Sequence, residues 1–344
     1  MKIQELRGLL KTTDKERLEK AFAESYKKFT KNQKAEVDQI IRDVLETGDL
    51  KAVRKKESVN LEELEPQITQ FLEYAYAQYY FSPNRVVPKS QRSKWRFMVK
   101  NYIKELEKIS VENEHYEKSV KLLTELYRLL CEACNYYLFS TDDAFRSVGR
   151  AQADLFHCVV KRTFATGYSR EKIAGLLLLA VSGGLSLESL YIFQEWELLA
   201  ELKTSDVKYM AIEEAGKLVK ERKGKRKGLK KYDAQRYYLD EEINELCGMI
   251  LMIAMALAEP ESGIKYYFQN CERTNKEITL YCALDIVDWE KNPELWMQVY
   301  EYGIGKKIKP RDSLVEKYHE LKNGEDSGER EWQAGDRRGN CFSE

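Results

Sequence analysis

The chain has 344 residues and no net charge, and its 43% apolar and 33% charged content lets it bury a core beneath a solvated surface. Six prolines and eighteen glycines are few for this length, which argues against a protein rich in sheets and tight turns. The seven cysteines are scattered and odd in number, so we expect a reducing compartment, the cytoplasm, rather than a disulfide framework. The N-terminus lacks a signal-peptide core, and the longest apolar runs, 173–181 and 247–258, are too short to span a bilayer, so no membrane contact is expected.

Helix signals recur along the whole chain, and alternating runs of β-branched residues, which would indicate strands, are missing. From capping residues and apolar periodicity we predict helices, in chain order, at 2–11, 14–30, 33–47, 66–82, 91–109, 111–139, 142–166, 170–181, 186–203, 206–222, 234–258, 260–273, 275–290, 293–303 and 311–322. Most connections are short, so successive helices should pack as antiparallel hairpins. No repeat of about 34 or 40 residues is present. The predicted fold is an all-α, irregular multi-helix array, solenoid-like but without a strict repeat.

Breaks in this pattern divide the chain into three parts. Residues 51–60 are charged and show no helical period, so a small N-terminal helical unit is predicted at 1–60. The main helical body follows at 61–322, and the polar, glycine-containing residues 323–344 are predicted to form a disordered tail. Within the body, residues 82–90 contain two prolines and are expected to form an extended loop.

The basic residues are unevenly placed, although the chain as a whole is neutral. Residues 85–104 carry seven basic side chains and no acid, and residues 217–231 carry nine basic side chains and one acid. The rest of the chain is acidic. The second segment is interpreted as a flexible basic loop at 223–231, interrupted by glycine. In the first segment, Arg96 and every fourth residue after it up to Lys104 are basic and would form a ridge on one helix face.

Charge that is separated in this way favours a ligand of opposite sign. Phosphate contacts, together with stacking of bases on Trp95, Phe97 and Tyr102, would suit the first segment to a nucleic acid. The candidate polyanion-binding residues are Arg85, Lys89, Arg92, Lys94, Arg96, Lys100, Lys104, Arg222, Lys223, Lys225, Arg226, Lys227, Lys230 and Lys231. The leading hypothesis is a non-enzymatic helical binding or scaffold protein whose partner is a nucleic acid or an acidic protein surface. Alternatively, the basic runs only solvate the surface, or they dock on acidic parts of the chain or of a second copy, as in a structural self-assembly protein.

Four side chains of zinc-binding type occur near one another, at Cys131, Cys134, His157 and Cys158. In the predicted hairpin the two pairs are offset by roughly 10 Å along the helix axis, which is too far for one zinc ion. We therefore interpret the cysteines as buried apolar side chains and predict no metal. Residues 303–307, Gly-Ile-Gly-Lys-Lys, lack the preceding strand and the Ser or Thr of a phosphate-binding loop, so no small-molecule cofactor is predicted.

One short motif points to catalysis. Arg150 is followed, after six residues, by His157, and both belong to one face of the predicted helix. This pattern resembles the R-x(4–6)-H motif of HEPN ribonucleases, which are helical bundles in which two such motifs meet across a dimer. The resemblance implies a catalytic role for His157 and a phosphate-stabilising role for Arg150, while Ala151 stands where the family often has a polar residue. A helical ribonuclease is therefore the enzymatic alternative to a binding protein.

Overall fold

The computed structural model describes residues 3–30, 34, 37–38, 41–42, 60–289 and 291–323. This described part is helical and contains no strand, which confirms the all-α prediction. The chain separates into two compact units, Met1–Val59 and Asn60–Glu344. The predicted helix at 33–47, the segment 51–60 and the predicted tail 323–344 lie largely outside the described residues. The solenoid-like arrangement stays a prediction.

The first unit begins with two helices, α1 (Ile3–Thr12) and α2 (Lys15–Lys27). Asp14 separates them, because its carboxylate accepts a hydrogen bond from the backbone amide of Arg17 and so caps α2. None of the side chains of α2 is buried. This helix is therefore supported by its cap and by surface ion pairs such as Lys27–Glu24, three residues apart.

The second unit is a succession of helices joined mostly by short connections. Its helices are α3 (Leu61–Tyr76), α4 (Lys89–Arg92), α5 (Trp95–Glu107), α6 (Tyr116–Asn135), α7 (Ala144–Val148), α8 (Gln152–Phe164), α9 (Arg170–Val181), α10 (Tyr191–Glu201), α11 (Ser205–Lys227), α12 (Ala234–Ala256), α13 (Pro260–Asn270), α14 (Lys276–Asp288), α15 (Pro293–Gly305) and α16 (Asp312–Asn323). Many of them begin at a side chain that caps the first turn. Ser169 caps α9, Thr204 caps α11, and Asn292 caps α15 with Pro293 in its first position.

Some predicted boundaries are wrong, each for a local reason. The helix predicted at 142–166 is two helices, because Gly149 adopts a left-handed conformation with φ of 73° and ends α7. The helix predicted at 186–203 begins only at Tyr191. The basic loop predicted at 223–231 is helical as far as Lys227, since α11 continues through Gly224. The two basic segments therefore both lie largely on helices.

The core of the second unit is centred on α12. Residues 246–254 of this helix are all buried, so its apolar side chains face every direction. It packs against its sequence neighbours α11 and α13, and it also contacts α9, α10 and α14. A helix enclosed in this way needs no polar face, which explains the apolar run at 247–258. In the described part of the chain, no helix is both long enough and apolar enough to cross a bilayer.

Two buried polar side chains tie α7 and α8 to the loop that precedes α10. The carboxylate of Asp143 accepts hydrogen bonds from the hydroxyl of Ser186 at 2.6 Å and from the amide of Leu187 at 3.0 Å. The side chain of Gln152 donates to the carbonyl of Gly184 at 3.1 Å and accepts from the amide of Ser186 at 2.8 Å. Because both side chains are buried, losing either would leave polar groups in the core without partners.

The same loop approaches α6 so closely that it requires a glycine. A Cβ atom on Gly184 would lie 2.3 Å from the carbonyl oxygen of Cys131, a backbone atom that cannot rotate away. We expect Gly184→Ala to lower the free energy of unfolding by about 2–3 kcal/mol, as measured by urea denaturation. Gly175→Ala is the matched control, because no atom lies within 4 Å of its new methyl group and alanine favours a helix. Equal stability of the two variants would contradict this packing.

An acidic side chain is buried in the same core. Glu195 of α10 is 1% exposed, and its Oε1 atom has no hydrogen-bond partner among the described residues. Burial, and the nearby carboxylate of Glu245 on α12, raise the pKa of Glu195 well above its ordinary value. Glu245 has an ion-pair partner in Arg273, with 3.4 Å between Oε1 and Nη2. The fold therefore favours the protonated form of Glu195.

The raised pKa of Glu195 predicts how pH changes stability. Between the ordinary glutamate pKa of about 4.3 and the higher pKa of the folded state, the folded chain keeps this proton and the unfolded chain releases it. Raising the pH through that interval therefore destabilises the fold. Glu195→Gln imitates the protonated acid, so it should match wild type near about pH 4 and unfold at a higher temperature near about pH 9. Calorimetry across this range tests the prediction, and an unchanged slope of Tm against pH in the variant would refute it.

Candidate functional site

Six basic side chains between residues 85 and 104 are exposed to solvent. They are Arg85, Lys89, Lys94, Arg96, Lys100 and Lys104, and they are called here the open basic segment. No carboxylate of the described residues lies within salt-bridge distance of any of them. Their positive charge is therefore not neutralised within the described part of the chain.

The amphipathic character of α5 decides where three cations of the open basic segment point. The buried side chains of this helix are Trp95, Val99, Tyr102, Ile103 and Leu106. Arg96, Lys100 and Lys104 are exposed at intervals of four residues, which corresponds to about 6 Å along the helix. The start of α5 is anchored by the ring of Trp95, which stacks on Phe139 with 3.9 Å between centroids. These three cations thus lie on the exposed side of a helix whose apolar side chains are buried in the core.

The loop before α5 is ordered by side-chain hydrogen bonds to its backbone. The amide oxygen of Asn84 accepts from the amides of Val86 and Val87, and its nitrogen donates to the carbonyl of Tyr79 at 2.7 Å. Arg92 donates through Nε to the carbonyl of Val87 at 3.1 Å and through Nη2 to that of Asn84 at 3.3 Å. Arg92, a predicted polyanion ligand, is therefore turned inward and holds the loop that carries Arg85.

An exposed aromatic ring lies within the open basic segment. Phe97 is 62% exposed, and the guanidinium of Arg96 lies over its ring at 5.0 Å from the centroid. Trp95 and Tyr102, the other aromatic residues predicted to stack on bases, are buried in the core instead. Phe97 alone of these three rings is available to a ligand.

The second basic segment has a different environment, because five of its nine cations already have carboxylate partners. Lys217 pairs with Glu214 of the same helix, and the other four, Arg222, Lys223, Lys225 and Arg226, are called here the paired basic segment. The side chains of Arg222 and Arg226 are only 13% and 20% exposed. Lys227, Lys230 and Lys231 remain exposed, and the Lys231 ammonium lies 5.7 Å from the centre of the Tyr232 ring.

Lys225 pairs with Glu221 of α11 itself, whereas the other three cations of the paired basic segment have partners on α12 or at the residue after Cys271. Arg222 Nε lies 2.5 Å from Glu242 Oε2, and Arg226 makes an ion pair with Asp240. Arg226 Nη1 also lies 3.1 Å from an oxygen of Glu272, to which Lys223 is paired at 3.5 Å. Carboxylates held this close neutralise the cations and join α11 to its neighbours. Arg222, Lys223 and Arg226 are thus part of the contact between α11 and its neighbours, whereas Lys225 forms a surface ion pair within α11.

The structure does not bring Arg150 and His157 together around a common partner. Nη2 of Arg150 donates to Glu107 of α5 at 2.8 Å. Nδ1 of His157 lies 2.6 Å from Glu197, and its Nε2 lies 3.9 Å from Glu201, both on α10. The two residues of the ribonuclease-like motif therefore engage carboxylates on two different helices.

The residues considered as zinc ligands also have separate surroundings. The sulfur of Cys131 is buried beside the amide of Gln152, whereas that of Cys158 lies 3.6 Å from Glu107. Burial raises the pKa of the Cys131 thiol to about 12, so this group stays protonated. Among the described residues, no group of three or more His, Cys, Asp or Glu side chains is arranged to hold a metal ion.

Sequence reasoning did not identify the acids that neutralise the second basic segment. The signal was present, because in an antiparallel hairpin centred near residue 231 Arg222 and Arg226 face residues close to Asp240 and Glu242. The contribution of Glu272 could not be read in this way, since it depends on how α13 packs on α12.

Comparison of this chain with protein-family models, with curated proteins and with solved structures finds no match.

The contrast between the two segments predicts opposite effects on stability. Arg226→Met leaves Asp240 and Glu272 partly buried without their shared cation, so the free energy of unfolding should fall by about 2 kcal/mol. Lys100→Met, the matched control in the open basic segment, removes no partner and should change it by less than about 0.5 kcal/mol. Urea denaturation measures both. Equal losses of unfolding free energy in the two variants would show that the ion pairs of Arg226 do not stabilise the fold.

Proposed function

We propose that this chain is a non-enzymatic helical binding protein and that its open basic segment engages a polyanion. The observation that carries the proposal is the set of six exposed cations without a carboxylate partner in the described part of the chain. Exposed cations held along a helix attract a chain of negative charges and release its counterions. The order of the 82–92 loop supports this role, because it fixes the cations near α4 before a ligand arrives.

A nucleic acid fits this segment better than an acidic protein surface. Phe97 offers an exposed ring beside Arg96 and Lys100, and a base has a flat face that can stack on such a ring. Glutamate and aspartate side chains have no equivalent group. The interval of about 6 Å between successive cations on α5 also suits a regularly charged backbone.

The other functions considered have less support. For a ribonuclease, Arg150 and His157 would need to face one substrate, whereas each is engaged by a carboxylate of a different helix. Self-assembly through docking of basic on acidic surfaces draws less support from the paired basic segment, since its cations are neutralised within the same chain. A cytoplasmic location is part of the proposal and agrees with the free thiols of the described cysteines.

Binding measured against salt concentration tests the proposal. Fluorescence anisotropy of the full chain with single-stranded RNA, single-stranded DNA, duplex DNA and polyglutamate should show binding to nucleic acid that weakens steeply with salt. Replacing Lys94, Lys100 and Lys104 together by Gln should reduce the slope of log K against log salt by about 2 for single strands, since each lost phosphate contact removes about 0.7.

The control is the triple replacement of Lys227, Lys230 and Lys231 by Gln, which removes equal charge next to the paired basic segment. It should change affinity much less than the first triple variant. Equal losses in both would mean that net charge alone governs binding, and a salt-independent wild type would reject the proposal. Binding to polyglutamate without binding to nucleic acid would assign the segment to an acidic protein.

A further inference from the structure

A groove of about 300 Å³ lies on the second unit, and no residue of the open basic segment lines it. One face of α6 and one face of α9 form its walls, and the C-terminal end of α8 contributes to its lining. Both α6 and α9 pack against α8, so the groove is framed by helices whose positions are fixed by the core. Its volume is at the lower end of the range for sites that hold small organic molecules.

The lining of the groove includes an arginine whose charge no acid neutralises within the described residues. Arg162 donates through Nη1 to the carbonyl of Glu107 at 3.2 Å, and through Nη2 to the carbonyl of Ile109 at 2.9 Å and the hydroxyl of Ser119 at 3.2 Å. Its guanidinium lies 4.7 Å from the centre of the Tyr116 ring. All of these partners are uncharged, and its Nε atom is buried without a hydrogen-bond partner. The arginine is therefore fixed in place with its full positive charge.

Two lysines add to this charge. Lys172 of α9 donates to the hydroxyl of Thr166 at 2.6 Å and to the carbonyl of Gly167 at 3.2 Å, again without a carboxylate. Lys121 of α6 lines the opposite wall and makes no ion pair with a described residue. Together with Arg162, they bring three uncompensated cations to one concave site, where a positive potential is strongest.

The two acids of the groove, Glu117 and Glu171, offset only part of this charge. Glu171 is engaged at the start of α9, where hydrogen bonds from its own backbone amide and from Ser169 hold its pKa below the ordinary value. Glu117 accepts only a long hydrogen bond, at 3.5 Å, from Thr166. The remaining cation, Arg128, is paired with Glu125 outside the lining. With its lowered pKa Glu171 stays ionised, and the lining sets the two carboxylates Glu117 and Glu171 against three cations that have no carboxylate partner among the described residues. The remaining single positive charge favours an anion.

The middle of α9 gives the groove an apolar part and the space for a ligand. Leu176 and Leu179 line it, and between them and Lys172 stands Gly175. No atom lies within 4 Å of the position that a Cβ of Gly175 would take, so the open space there is the groove itself. A glycine inside a helix weakens the helix, and packing does not require it here.

We propose that this groove binds a small organic anion, a phosphate monoester or a carboxylate, whose apolar group lies against Leu176 and Leu179 beside Gly175. The charged end is held by Arg162, Lys172 and Lys121. This site is separate from the open basic segment and does not depend on nucleic-acid binding.

Titration calorimetry of the full chain with hexyl phosphate, hexanoate, hexanol and inorganic phosphate tests the site. At least one of the two amphipathic anions should bind saturably, and hexanol and inorganic phosphate should each bind at least about tenfold more weakly. Lys172→Met should weaken binding about tenfold, whereas Lys220→Met, which removes an exposed lysine from α11, should not. Gly175→Leu fills the open space and should abolish binding, whereas Gly224→Leu, at a second open helical glycine, should leave it unchanged.

Circular dichroism shows whether the leucine variants fold. If Gly175→Leu does not fold, the affinities of Lys172→Met and Lys220→Met test the site without it. The absence of saturable binding by both anions overturns the proposal. Equal affinity for hexanol and hexyl phosphate would show that the cations play no part in binding. Equal affinity for inorganic phosphate and hexyl phosphate would show that the apolar part of the groove plays none. Equal effects of Lys172→Met and Lys220→Met would also overturn the proposal.

Discussion

A positive charge that leaves water must be compensated, and this requirement sorts the basic residues of the chain. Arg222 and Arg226 are largely buried and have carboxylates on α12 and at Glu272. Arg92 and Arg162 are half-buried and use backbone carbonyls instead. Cations that remain in solvent need no such partner, and those are the ones that a ligand can neutralise. Function in this protein is therefore sought where the fold has left charge uncompensated.

The fold class was predictable because it depends on local signals. Low glycine and proline content, capping side chains such as Ser169 and the apolar run at 247–258 all act within one helix, and the structure contains the helices they indicate. Details that depend on one backbone conformation were not predictable. The left-handed Gly149 that divides α7 from α8 looks, in sequence, like any glycine within a helix.

The candidate sites show a similar division between local and tertiary information. The spacing of Arg96, Lys100 and Lys104 indicates a ridge on one side of α5, since a single helix fixes their relation. The pairing of the second basic segment depends on α12 and on Glu272, and the groove depends on how α6, α8 and α9 pack together. Arg150 and His157 illustrate the same limit, because a motif on one helix does not reveal which neighbours approach each residue. Pairing partners across helices are a property of packing.

The three-way contact of Arg226 with Asp240 and Glu272 has a consequence for how this protein can change over evolution. The guanidinium joins α11, α12 and the residue that follows Cys271, so a lineage that replaced it alone would leave Asp240 without this partner and Glu272 with Lys223 only. Neutralising only one acid would leave the largely buried guanidinium with a single carboxylate. Substitutions at these three positions are therefore expected to occur together among descendants of this sequence, whereas those at Lys94 or Lys100 can drift independently unless a ligand constrains them.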